Sequence, residues 1–440
     1  MQKGIYPEFN DSIDHNYDIS IPSRTDFIDR KNMPIYNSYE ELFEGDFPKR
    51  KWVMEDIPGK GRGVICCRPI KAGELVFKER ASILYIGPET KDENKDSTFE
   101  LIKKVYEGDA TATPSFVAQL AQNPSRENEF ENHVQWMFNE FKNNSYQFKY
   151  EVVLDELRKI VNGIHTNSFS LDFQEGFGVF MGCSLVNHSC SENMGWHTVG
   201  DTMYYTALKD IEVGTELTIS YSFPNVNSKR IRYYHDYYGF DCDCVLCTKG
   251  IDNWRVFDCI YCGGLIYPDE NEWICHTCKR KSTQEEIFFY EAEEKAIMQF
   301  KHESRYRWFF RPLRKMSPYH MYLFKALRNY FMTQACSNPI QIAEEVLLPI
   351  AEFHRDISHG RLYAAILEQY SLVLLKYCQT VTILEEWCKK KALECLRKAY
   401  DYRCLIGMGI SGYAAAIYLE NLKYFDPENL KGPIVHYEEY

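Results

Sequence analysis

Long apolar runs are missing from this chain of 440 residues. The stretch from Leu362 to Leu375 is broken by Glu368, Gln369 and Ser371, well short of the ~20 apolar residues that a membrane-spanning helix needs. Residues 1–20 hold no apolar core of the kind that heads a secretory leader, so export is not expected. A basic excess is missing as well. Lys plus Arg number 51 against 63 Asp plus Glu, a formal charge of -12, which argues against direct nucleic-acid binding and leaves room for a basic peptide partner. Apolar residues make up 45% and charged residues 26%, close to the globular average, which excludes wholesale disorder, collagen and coiled coil. The length suffices for two or three domains with a large core.

Cysteine, by contrast, is plentiful. Sixteen thiols in a large chain with no sign of export read as reduced side chains and metal ligands, which places the protein in the cytoplasm or nucleus.

Residues 1–48 are rich in Asp, Asn, Ser, Pro and Tyr without clean periodicity, which predicts a loosely ordered arm. From Trp52 onward, short apolar runs (Trp52-Val53-Met54, Val64-Ile65-Cys66, Leu75-Val76-Phe77) alternate with the turn residues Gly59-Lys60-Gly61-Arg62-Gly63 and Ile70-Lys71-Ala72-Gly73, a strand-and-turn pattern. The stretch 68–75 is echoed by 209–217, and two such units point to one β domain assembled from distant segments. Between them, Phe130, Val134, Met137, Phe138 and Phe141, then Val153, Leu154, Leu157, Ile160 and Val161, recur at helical spacing. Strand signals return at 167–180, 203–207 and 216–221. After Cys278, helical periodicity runs to about Phe425, which predicts a separate all-α domain with the character of a helical-hairpin solenoid but no strict repeat period.

Cys242, Cys244 and Cys247 place three thiols in six residues, a spacing that can wrap one tetrahedral Zn²⁺ with three of its four ligands. Cys190, in Asn187-His188-Ser189-Cys190, is the best candidate for the fourth, because its turn reads as a buried junction. Cys259 and Cys262, then Cys275 and Cys278, form a paired C-x2-C arrangement that supplies four thiolates unaided. Two zinc sites so close in sequence imply a segment with little core of its own. Cys66 and Cys67 are adjacent on a strand and point to opposite faces, so they cannot chelate together. Cys183, Cys336, Cys378, Cys388, Cys395 and Cys404 sit among apolar neighbours and read as inert buried thiols.

Four motifs follow one another in a fixed order: Gly59-Lys60-Gly61-Arg62-Gly63; Asn187-His188-Ser189-Cys190; Glu216-Leu217-Thr218-Ile219-Ser220-Tyr221; and Tyr238-Gly239-Phe240 leading into Cys242-Asp243-Cys244-Val245-Leu246-Cys247. Together they resemble the SET-domain protein-lysine methyltransferases. The SET-and-MYND (SMYD) subgroup is similar also in His165-Thr166-Asn167-Ser168-Phe169-Ser170, in the trailing cysteines and in a helical C-terminus. Residues 86–182 contain no cysteine, whereas a MYND zinc module would need several there, so a MYND-less relative is expected.

The resemblance implies an α+β fold: an arm at 1–48, a split β-rich SET domain at 49–240 with a helical insert at about 97–165, a cysteine-rich zinc-binding post-SET region at 241–282, and an all-α, TPR-like domain at 283–440. It implies S-adenosylmethionine as methyl donor and two structural zinc ions. The donor would be held by the backbone at Lys60, Gly61 and Arg62, by hydrogen bonds from Asn167, Asn187 and His188, and by Phe240 stacked on adenine. Tyr221 would be the catalytic tyrosine, with Tyr238 lining the lysine channel. Glu216 reads as a structural strand residue. The expected substrate is a protein or peptide lysine, histones among the candidates, and the expected protein is a soluble monomer. The competing reading keeps the fold and zinc but makes the protein a catalytically silent binding scaffold; retention of Asn187, His188, Tyr221 and Phe240 favours the enzyme.

Overall fold

The computed structural model describes residues 33–44, 50–87, 97–172, 175–222, 226–248, 252–268, 272–300, 302–311, 314–332, 339–353, 361–379, 381–409, 411 and 413–425. Most of the N-terminal arm and Cys336 therefore lie outside the described residues. Loose order was expected through residue 48. Instead Tyr39–Phe43 forms a short helix, α1, whose N-cap Ser38 accepts from the Glu41 N–H. Tyr39 and Phe43 are buried against Phe116 and Trp52, because two large rings four residues apart share one helix face.

The β domain starts with a hairpin, β1 (Trp52–Ile57) and β2 (Gly61–Cys66), in register from Trp52↔Cys66 to Ile57↔Gly61. Its turn needs positive φ at Gly59 and Gly61, 79° and 72°, which residues with a Cβ rarely adopt. Strands β3 (Leu75–Arg80) and β4 (Ile83–Ile86) enter two different sheets. The helical insert follows: α2 (Ser97–Glu107), α3 (Pro114–Val117), α4 (Glu127–Asn143) and α5 (Leu154–Asn167). Phe130, Val134, Met137 and Phe141 of α4 are buried, as are Leu157, Ile160, Val161 and Ile164 of α5. Val153 is exposed because it lies just before α5 begins.

The chain then returns to the sheets. Strands β5 (Ser168–Ser170) and β6 (Gly176–Val179) complete the sheet β4-β6-β5. Strand β7 (Asn187–His188) is followed by β8 (Met194–Val199) and β9 (Thr202–Ala207), which with β3 make the sheet β3-β9-β8. Strand β10 (Thr218–Ile219) pairs in parallel with β7, Thr218 beside Asn187 and Ile219 beside His188. The echo between 68–75 and 209–217 is a physical pairing: Ile70 and Ile211 exchange both main-chain hydrogen bonds, at 3.0 and 2.9 Å.

Beyond the sheets, α6 (Asn227–Tyr238) stops at Gly239 in the left-handed conformation, and α7 (Val245–Thr248) carries Cys247. Strands β11 (Phe257–Asp258), β12 (Leu265–Pro268) and β13 (Trp273–Cys275) form a small sheet. Its Phe257, Ile266 and Trp273 share one apolar cluster with Tyr290 and the later helices, so the cysteine-rich segment borrows its core from the helical domain. Those helices are α8 (Gln284–Gln299), started by a Thr283/Glu286 capping box, α9 (Met321–Met332), α10 (Pro339–Ile342), α11 (Leu348–Phe353), α12 (Arg361–Cys378), α13 (Glu385–Leu405) and α14 (Tyr413–Leu422). The turn after α13 docks on the β domain, where Thr206 Oγ1 donates to Ile406 O at 2.9 Å and Met408, Tyr413 and Val199 pack together. Among the described residues no helix is long and apolar enough to cross a membrane.

Candidate functional site

Parallel pairing of β7 with β10 is what builds the site, because it sets Asn187-His188 beside the chain that runs on to Tyr221. Glu216, just before β10, is bridged to Ile65 of β2, so the glycine turn lies on the same side. Asn187 Nδ2 donates to Glu216 Oε1 at 3.0 Å and to Arg62 O at 3.2 Å. Glu216 Oε2 receives the Lys60 ammonium at 3.0 Å. Glu216, expected as a structural strand residue, is the hub that fixes Asn187 and the glycine turn together. Buried Asn193 holds this hub in place: its Nδ2 donates to Glu216 O and its Oδ1 accepts from the Thr218 N–H, both at 2.8 Å. Close approach is required here. A Cβ on Gly63 would meet Asn187 Nδ2 at 2.6 Å, whereas one on Gly61 would meet nothing within 4 Å.

The second half of the site is aromatic. Tyr221 lies 5.0 Å from Tyr238 and 6.3 Å from Phe240, ring centre to ring centre. Its hydroxyl donates to Val186 O at 2.7 Å. Burial pushes the hydroxyl's pKa up from its usual value, helped by the Glu216 carboxylate, so Tyr221 stays protonated at neutral pH. Tyr238 is raised in the same direction by burial first, then by the neighbouring Tyr233 and Tyr221.

His188 is expected to hydrogen-bond the methyl donor; both its ring nitrogens are engaged by the protein, Nδ1 accepting from the Tyr221 N–H at 3.0 Å and Nε2 lying 3.3 Å from Cys190 Sγ. Phe240, expected to stack on adenine, packs against Tyr234 with an interplanar angle of 8° and is half-buried. Asn167 Nδ2 donates to Ala121 O and Gly163 O.

Sequence reasoning missed the connection between these pieces, the segment from Gln119 to Asn123. Arg62 reaches Gln119 O, and Asn167 reaches Ala121 O. Asn123, fully buried, exchanges two hydrogen bonds with Asn162 and donates to Tyr237 O at 2.6 Å. Asn123-Pro124 reads locally as a helix cap, and Asn123 Oδ1 does accept from the Ser125 N–H; its role against Gly239, where a Cβ would lie 2.5 Å from Asn123 Oδ1, shows only in the fold.

The thiols converge as two groups of four. Cys190, Cys242, Cys244 and Cys247 form one, Cys259, Cys262, Cys275 and Cys278 the other, each with its sulfurs within 4.8 Å of one another. The Cys190–Cys247 and Cys190–Cys242 separations are 3.6 and 4.0 Å, and Cys262–Cys275 and Cys259–Cys278 are 3.5 and 3.9 Å. A tetrahedral Zn²⁺ with Zn–S bonds of about 2.3 Å sets its sulfurs about 3.8 Å apart, while a disulfide needs about 2.05 Å. Four-thiol sets at these spacings fit structural zinc and leave no open position for a substrate. The first group joins the glycine turn through Asp243, whose carboxylate lies 3.2 Å from Lys60 Nζ.

With the geometry in place, comparison with known proteins is decisive. A family-wide profile of the SET domain matches residues 61–222, which hold the glycine turn, Asn187 and Tyr221. The chain carries a SET domain. SET domain-containing protein L678 of Acanthamoeba polyphaga mimivirus is 29% identical over 202 residues, 43% of this chain and 75% of that protein. Human histone-lysine N-methyltransferase SMYD3 is 40% identical over 86 residues, 18% of this chain and 20% of its own length. Human histone-lysine N-methyltransferase SMYD1 is 37% identical over 105 residues, 20% of this chain and 21% of its own. The SET domain is thus SMYD-like, and the match spans about a fifth of each human relative. Tyr238, Phe240 and both cysteine groups save Cys190 lie past residue 222, where the SET profile ends.

Proposed function

We propose that this protein transfers a methyl group from S-adenosylmethionine to the side-chain amine of a lysine in a protein substrate, histones being one candidate class. The observation that carries this reading is the meeting, at one place, of the glycine turn, Asn187 and Glu216 on one side with Tyr221, Tyr238 and Phe240 on the other. The human SMYD relatives named above are histone-lysine methyltransferases, which supports it.

The residues fit the donor. Asn187 gives both its N–H bonds to the protein, and among the described residues its Oδ1 has no hydrogen bond, so it can accept from an ammonium. Open space beside Gly61 leaves room for an amino-acid tail against the backbone. Bound there, S-adenosylmethionine supplies an electrophilic methyl on a sulfonium, so that the N–C bond forms as the S–C bond breaks and the amine's proton passes to solvent. The incoming lysine must be neutral, which costs about 4–5 kcal/mol at pH 7 for a free side chain. Packing by Tyr221, Tyr238 and Phe240 excludes water, and burial disfavours the ammonium. The Tyr221 hydroxyl, held by Val186 O, keeps its oxygen lone pairs for the amine N–H and orients the nucleophile.

The test is Tyr221→Phe, assayed by mass spectrometry on a peptide library with labelled cofactor. Transfer should fall by about 100-fold or more while calorimetric affinity for S-adenosylmethionine stays within about threefold. Turnover unchanged in Tyr221→Phe would remove the tyrosine from the mechanism. A folded, zinc-loaded wild type that binds no S-adenosylmethionine would favour the scaffold reading instead.

A further inference from the structure

The two halves of the molecule most remote in function, a structural metal centre and a catalytic tyrosine, are separated by a single side chain. His188 Nε2 lies 3.3 Å from Cys190 Sγ, and His188 Nδ1 lies 3.0 Å from the Tyr221 backbone nitrogen. The tautomer follows from the partners. A backbone N–H can only donate, so Nδ1 is the acceptor and Nε2 is left to donate toward the Cys190 sulfur. The ring is also confined sterically: Tyr234 lies over it at 4.0 Å between centroids, and the Tyr234 hydroxyl lies 3.6 Å from the same Cys190 sulfur.

Tyr221 has particular need of such a partner. The ladder between β7 and β10 stops at Ile219, with a last bond from Ser189 N to Ile219 O at 3.0 Å. Two residues on, the Tyr221 N–H lies beyond the strand and finds its acceptor in the imidazole. The phenol is anchored separately at Val186 O, so the ring angle of Tyr221 is set by two points, one of which is His188.

We propose that His188 is a positioning residue for methyl transfer: it is held by the thiolate of the first zinc group and in turn holds the main chain of Tyr221, so that zinc occupancy sets the geometry of the catalytic hydroxyl. The inference builds on the lysine-methylation reading only where turnover is concerned. The role assigned is to the ring, and neither ring nitrogen is left for a ligand.

The experiment uses the full chain. In wild-type protein loaded with ¹¹³Cd in place of zinc, the His188 Nε2 proton should show scalar coupling to the metal across the hydrogen bond to Cys190; a folded, cadmium-loaded protein without that coupling overturns the bridge. Two variants then cut one edge each. His188→Asn keeps an acceptor near the Nδ1 position and loses the donor to sulfur. His188→Gln places an amide N–H near the Nε2 position and loses the acceptor for Tyr221. In the cobalt-loaded proteins, His188→Asn should shift the thiolate-to-metal charge-transfer bands, and His188→Gln should leave them as in wild type. Misplacing a catalytic group by about 1 Å costs on the order of a hundredfold, so His188→Gln should lower kcat by about tenfold to a hundredfold with KM for S-adenosylmethionine within about twofold. A raised cofactor KM with unchanged kcat would make the ring a cofactor contact and overturn the assignment. Because the spectroscopic arms need no turnover, they decide the bridge even if the protein transfers no methyl group.

Discussion

Lys60 and Asp243 meet across 3.2 Å, joining the tip of the first hairpin to the cysteine-rich segment. The same ammonium holds Glu216 at 3.0 Å, and Glu216 in turn holds Asn187. The three groups are not equivalent. Asp243 is 66% exposed and Glu216 only 20%, so solvent screens the first contact far more than the second.

Asp243→Asn should therefore change stability by less than about 1 kcal/mol. Lys60→Met should cost about 1–3 kcal/mol, because it strips a partner from a carboxylate that is largely covered. Urea unfolding of the two variants against wild type measures both.

Gly61 and Gly63 should respond differently to alanine. At Gly61 there is room for a Cβ but φ is 72°, so Gly61→Ala should cost about 1–2 kcal/mol with little change at Asn187. At Gly63 the methyl would strike Ile57 at 2.5 Å and Asn187 at 2.6 Å. Overpacking of that kind costs about 1–3 kcal/mol and displaces Asn187, so Gly63→Ala should also weaken S-adenosylmethionine binding about tenfold or more. Calorimetric titration alongside thermal unfolding separates the two effects.

Metal analysis should find about two zinc ions per chain, released in sequence by a chelator. Cys262 and Cys278 are exposed, whereas Cys247 is buried and its three partners are partly covered, so the group at 259–278 should empty first. Because β11–β13 share their core with Tyr290, loss of that ion should also melt helical signal, seen by circular dichroism during the first phase of release. Helicity unchanged through that phase would separate the ribbon from the helical domain.

Glu79 should make stability depend on pH near neutrality. Its carboxyl accepts from the Gly182 and Cys183 N–H groups at 3.0 and 2.7 Å. Loss of water outweighs these bonds and pushes its pKa from 4.5 up to about 7. A raised carboxyl binds more protons folded than unfolded, so its stabilising contribution is complete below about pH 4.5 and is lost as pH rises through about 7. The loss is on the order of 3 to 4 kcal/mol, about 1.4 kcal/mol for each pK unit of the shift. Glu79→Gln should flatten this slope, measured as unfolding free energy at pH 5, 6, 7 and 8.

Much of the architecture could be read in advance wherever the pattern is local. Phe130, Val134, Met137 and Phe141 announce a helix because burial on one face repeats every three to four residues, and each of them is buried. The group Cys259, Cys262, Cys275 and Cys278 is visible in the spacing because one short ribbon supplies every ligand. Asn187, Tyr221 and Phe240 were accessible only through the order of motifs, since an asparagine, a tyrosine or a phenylalanine has no periodic mark of its own. Glu79, the burial of Tyr39 and Phe43 and the role of Asn123 against Gly239 gave no warning. Each depends on a surface presented by chain far away.

Periodicity, turn glycines and thiol spacing in the amino-acid order were enough to establish a split β domain, a helical insert, a metal-bearing segment and an α-helical end. Which atoms meet was settled by folding: the parallel register of β7 on β10 puts His188 between Cys190 and Tyr221, and the bridge from Ile65 to Glu216 brings Lys60 between Glu216 and Asp243. The difference is physical. Local patterns reflect short-range backbone geometry and the face each residue must bury, whereas hydrogen bonds between remote segments exist only once the packing of the whole core has fixed distances to a few tenths of an ångström.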